Sequence, residues 1–149
     1  MSALVTRVDS AVWKQLARAA RQGPKELLVG VPEGAGAHPS GATIAEIALW
    51  NHEGTDTIPA RPFLSHPLDA RRQPVKGMLA RVSKGILEGR PEEPILRALG
   101  EWCRNLVIAA INVRRYEANA PSTEAAKGSD LPLVDRGILK GAITYEVRG

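Results

Sequence analysis

The stretch Trp50-Asn51-His52-Glu53-Gly54-Thr55-Asp56-Thr57-Ile58-Pro59-Ala60-Arg61-Pro62-Phe63-Leu64 decides how this chain is read. Gly54 tolerates the left-handed backbone that closes a helix, so a helix is expected to end there. Phe63 is the only Phe in the chain, and it stands beside Pro62 and Leu64. Proline fixes φ and pushes the residue before it out of the helical region, so Ile58 and Arg61 are expected to be extended. The segment 58–64 therefore reads as a stiff arm presenting one guanidinium and one aromatic ring. Stiff segments lose little entropy on docking, which suits joining one protein to another.

Working backwards, a helix is expected over about 42–53, capped near Ser40 or Thr43, with Ile44, Ile47, Ala48 and Asn51 on one face. Before it lies a Gly- and Pro-rich loop at about 32–41, and before that Glu26–Val31, a short apolar run that reads as a buried strand. Residues 8–22 have the spacing of an amphipathic helix that ends at Gly23-Pro24.

Working forwards, Leu68, Val75, Leu79, Val82 and Ile86 recur at helical spacing over 64–88. Pro67, Pro74 and Gly77 interrupt that run, which predicts a kinked or two-part helix. The clearest helix runs from about Glu92 to Arg114. Its apolar stripe comprises Ile95, Leu96, Leu99, Trp102, Cys103, Leu106, Val107, Ala110 and Ile111, and Pro94 is tolerated in the first turn. Residues 116–132 are small and polar and read as a long exposed loop. Asp135 is placed to cap a short turn through Gly137–Lys140. Ile143, Tyr145 and Val147 alternate with Thr144, Glu146 and Arg148, the pattern of a half-buried strand. The expected fold is one α+β domain over 1–149: a small antiparallel sheet packed against two or three helices, with long mobile loops at about 32–41 and 116–132. A strand partner is not evident in the sequence, and either the loop 116–132 or another subunit is a candidate to supply it.

Composition narrows the function. A chain of 149 residues can bury a real core, and aromatics make up only 4%, so that core rests on Leu, Ile, Val and Ala. The formal net charge of +4 is mildly basic. One cysteine, Cys103, excludes an internal disulfide framework, and its place on the apolar stripe makes it a small hydrophobe of the core. The N-terminus lacks a signal-peptide apolar region, and no run is long enough to span a bilayer, so a membrane partner is not expected.

Three constellations invite a chemical reading. Gly36–Thr43 has the spacing of a phosphate-binding loop, but Ala42 holds the lysine position and Pro39 removes a donor. His52-Glu53 begins like a zinc-helix motif, but Asp56 stands where the second histidine belongs. His38 and His66 lie in loop or Pro-flanked settings. No ordered catalytic set emerges, so the expectation is a non-enzymatic chain with no catalytic residues, cofactor or metal. The third constellation is basic: Arg71, Arg72, Lys76, Arg81 and Lys84 form a candidate face for DNA or an acidic partner, although the stretch carries no aromatics to stack on bases.

In the order of its pieces the chain resembles the tail-completion and head–tail joining (virion morphogenesis) proteins of tailed phages. The matching segments are Val29–Gly34, Ile44–Thr55, Ile58–Leu64 and Pro132–Val147. The family more often has Phe-Gly-Thr and Asp-Thr-Gly where this chain has Glu53-Gly54-Thr55 and Asp135-Arg136-Gly137. The resemblance implies a structural virion protein of the neck or tail terminus, assembled in the bacterial cytoplasm. It would form a homo-oligomeric ring, commonly six-fold, between the head connector or stopper and the tail tube or terminator, with DNA in the channel. On this reading Ile58, Pro59, Arg61, Pro62, Phe63 and Leu64 are interface residues, with Phe63 in an apolar pocket of a neighbour and Arg61 on a carboxylate or backbone oxygens. Phe63→Ala is then expected to leave the chain folded; the alternative for Phe63 is the core of its own chain. The competing expectations are a nucleic-acid-binding module using the face 71–90 and a small hydrolase or nucleotide-binding enzyme.

Overall fold

The computed structural model describes residues 25–113 and 137–149, together with Ala11, Lys14, Ala17, Arg18, Ala20 and Arg21, which are helical. The expected loop at 116–132 and the Asp135 cap lie outside the described residues. The remaining elements are β1 (Glu26–Gly30), a 3-10 turn (Glu33–Ala35), α1 (Ile44–Glu53), α2 (Ser65–Ala70), α3 (Arg72–Leu87), α4 (Glu92–Asn112), α5 (Ile138–Ala142) and β2 (Thr144–Arg148). The fold is α+β.

The strand partner hidden in the sequence is the other end of the chain. β1 and β2 pair antiparallel, with Leu27 opposite Val147 and Val29 opposite Tyr145. These four residues are half-buried, while Glu26, Leu28, Thr144, Glu146 and Arg148 are exposed, so one face of the sheet is turned to solvent. The inner face packs on α4. Gly100 of α4 is what permits this: a Cβ there would run into the Tyr145 ring. The Arg104 side chain, from the same helix, donates through Nε to the Ile143 carbonyl at 2.8 Å.

α4 is the central element, with the sheet and both α2 and α3 packed on it. Its buried residues are Leu96, Leu99, Gly100, Cys103, Val107, Ala110 and Ile111, whereas Ile95, Trp102 and Leu106 of the expected stripe are half-buried at its margins. The helix expected over 64–88 is indeed two, and the break falls at Arg71. Pro74 explains the position. It has no N–H to give the carbonyl four residues earlier, at Ala70, and its ring crowds that carbonyl. Pro67 falls in the first turn of α2, where its missing N–H costs nothing. Gly77 sits inside α3 without interrupting it.

Among the described residues a core cluster joins Ile44 and Ala48 of α1, Phe63, Val107 and Ile111 of α4, Leu139 of α5, and Ile143. Val31, Ala35, Leu64 and Leu68 pack against it. No helix among the described residues is long and apolar enough to cross a membrane.

Candidate functional site

The singular segment of the sequence, from Trp50 to His66, is built outward from α1. Thr43 caps that helix in a capping box: its Oγ1 accepts from the Glu46 N–H at 3.1 Å, and its own N–H donates to the Glu46 carboxylate at 2.8 Å. The bond from the Thr43 backbone is the main reason the Glu46 carboxyl lies below the usual carboxylate range. At the other end Gly54 has φ +81° and donates to the Trp50 carbonyl at 2.9 Å. A Cβ on Gly54 would stand 2.9 Å from the Ala60 nitrogen, so both conformation and space require glycine here.

Past Gly54 the chain reverses in a small closed turn. Thr55 N–H donates to the Ile58 carbonyl at 2.8 Å, and Ile58 N–H donates to Thr55 Oγ1 at 3.0 Å. The segment 58–64 then runs back along α1. Arg61 N–H donates to the Asn51 carbonyl at 2.7 Å, and Arg61 Nη1 donates to Asn51 Oδ1 at 3.1 Å. Asn51 is itself held by a bond from its Nδ2 to the Ile47 carbonyl at 2.8 Å. Phe63 N–H donates to the Arg61 carbonyl at 2.6 Å across Pro62, which turns the ring inward. His52 meets that ring edge-on, with centroids 5.6 Å apart and planes at 80°. Its Nε2 lies 3.5 Å from Ser65 Oγ.

The expected roles of Arg61 and Phe63 change accordingly. Phe63 is 0% exposed and Arg61 4% exposed, so neither side chain is presented to a neighbour. The prolines do stiffen the segment, but they shape a hook that closes on its own helix. Burying the only Phe of an aromatic-poor chain stabilises the core, and Asn51 Oδ1 is one acceptor that meets the buried guanidinium beside it. Of the other expected interface residues, Ile58, Pro59 and Leu64 are half-buried and Pro62 is exposed. The signal for this arrangement was Asn51, a polar residue on the apolar face of an amphipathic helix.

The remaining candidates separate. The Gly36–Thr43 segment is an ordered reversal closed by an Ala37–Thr43 bridge. His38 N–H donates to the Ala42 carbonyl at 2.8 Å, Gly41 N–H to the His38 carbonyl at 2.9 Å, and Ile44 N–H to the Gly36 carbonyl at 3.0 Å. Those amides are spent inside the loop and do not point together at an anion. His38 Nδ1 turns to Ser40 Oγ at 2.8 Å. Among the described residues no three His, Cys, Asp or Glu side chains are grouped to hold a metal ion. Cys103 is buried, and burial pushes its thiol pKa up, away from a nucleophile's range.

Arg71, Arg72, Lys76, Arg81 and Lys84 are all exposed, but they do not share one face. At about 100° per residue, Arg81 lies roughly 140° around α3 from Lys76. Arg72, Lys76 and Lys84 group on the side away from the buried Val82 and Gly85. The outer side of α1 carries what the sequence reading passed over: Leu49, 57% exposed, and Trp50, 40% exposed.

Comparison with known proteins found no matching family model, curated protein or solved structure.

Proposed function

We propose that this chain is a structural protein of a tailed-phage virion, at the neck or tail terminus, forming a ring that joins the tail tube to the head connector. The observation that carries this reading is the convergence of the segments on which the resemblance rests. They are scattered along the sequence, yet Val31, Ile44, Ala48, Phe63, Leu139 and Ile143 meet in or against one core cluster. The segments that carry the resemblance therefore pack together within one folding unit, while the N-terminal helix and residues 65–130 resemble the family by pattern alone. The hook of residues 58–64 serves that unit from within: it locks α1, and the outer side of the domain is left for docking.

The nucleic-acid reading is weaker, because Arg71 precedes α3 and Arg81 stands apart from Arg72, Lys76 and Lys84, so the five cations form no continuous stripe for a phosphate backbone. The functional test is deletion of the gene from its phage. Electron microscopy of the lysate is expected to show filled heads and separate tails, with joined particles restored by expressing the wild-type chain. Joined, infectious particles in the deletion lysate would rule the reading out.

A further inference from the structure

We propose that the outer face of α1 docks on the outer face of α3 of a second copy of this chain, in a head-to-tail contact that repeats around the assembly. This deepens the ring reading and rests on it. Glu46, Leu49, Trp50 and Glu53 recur at helical spacing and lie within about 100° of one another. They stand on the side of α1 opposite the buried Ile44 and Ala48. The result is an exposed apolar pair bracketed by two carboxylates.

α3 carries the counterpart. Arg72, Lys76, Lys84 and Leu87 fall within about 120° on the side away from Val82 and Gly85, and Leu79 borders them, about 20° from Arg72 and about 60° from Val82. Leu79 is 44% and Leu87 43% exposed. The dimensions agree as well as the signs. Glu46 and Glu53 are separated by about 10 Å along their helix, and Lys76 and Lys84 by about 12 Å along theirs. Leu49 and Trp50 would then rest on Leu79 while each carboxylate meets a cation. Lys76 makes no ion pair among the described residues. Arg72 and Lys84 hold only exposed local pairs, with Asp69 at 3.0 Å and Glu88 at 3.8 Å.

Charge also selects the symmetry. Two α1 faces packed together would oppose carboxylate to carboxylate, and two α3 faces would oppose cation to cation. Only the unlike pairing satisfies both, and a contact between different surfaces is the kind that propagates into a ring when its rotation closes.

The test uses the full chain with Leu49→Asp, which spoils the α1 face, and Leu79→Asp, which spoils the α3 face. Both positions are exposed, and circular dichroism checks that each variant is folded. In sedimentation experiments up to about 100 µM the wild type is expected to self-associate, and each variant to do so at least roughly 100-fold more weakly. An equimolar mixture is expected to form dimers and stop there, because one intact face of each kind remains. A monomeric wild type, variants that associate like the wild type, or a mixture that stays monomeric would each overturn the proposal. Incorporation into particles is scored in parallel. A chain that enters particles but fails the mixing test loses this contact and keeps its place in the virion. A chain that passes the mixing test but is missing from particles keeps the contact and loses the virion role.

Discussion

Arg61 is a charged side chain held at 4% exposure, and a buried guanidinium is tolerated only where acceptors meet its donors. Asn51 meets both the backbone and the side chain of Arg61 and is anchored by Ile47. Asn51→Ala is therefore expected to cost about 1.5–3 kcal/mol, the range for losing a hydrogen bond to a charged group, read as a lower midpoint in urea unfolding. Phe63→Ala removes a fully buried ring and is expected to cost about 3–5 kcal/mol by the same measurement. That reverses the sequence-based expectation of a folded variant. A Phe63→Ala chain of wild-type stability would show that the ring lies outside the core. The sequence marked both residues as singular but did not say on which side of the surface they fall. Their prolines fix local φ, whereas the direction of the hook depends on Asn51, ten residues upstream on another element.

At the scale of elements, what could be read early was what is local. The Thr43 cap, the Gly54 stop, the long stripe of α4 and the alternation of β2 all follow from neighbours within a turn or a strand. The break at Arg71 was also implicit, since it sits one residue past the carbonyl that Pro74 cannot serve. The pairing of β1 with β2 was not, because it joins the two flanks of the chain through a shared packing surface on α4. The capping box yields a pH test. Glu46 is held below its ordinary value, so its contribution is present above the ordinary carboxylate range and is lost as pH falls through the lowered folded-state value. The wild type is expected to exceed Glu46→Gln in melting temperature near neutral pH, with the gap closing as pH falls. A gap that does not change with pH would mean that the carboxylate charge contributes nothing to the cap.

At the scale of the molecule, the domain keeps its most distinctive residues inside and leaves an acidic-apolar helix face and a basic-apolar helix face outside. The two faces share one support: α3 packs on the central α4, and α1 joins the core cluster to which α4 contributes Val107 and Ile111. Function on this account belongs to the surface of the assembled ring, and the core motif is the frame that sets its angles. The most direct measurement is a cryo-electron microscopy reconstruction of the head–tail junction of the purified phage. The account predicts copies of this fold in a closed ring between connector and tail tube, with the Leu49–Trp50 face of each seated on the Leu79 face of the next. A junction resolved without this chain would contradict it.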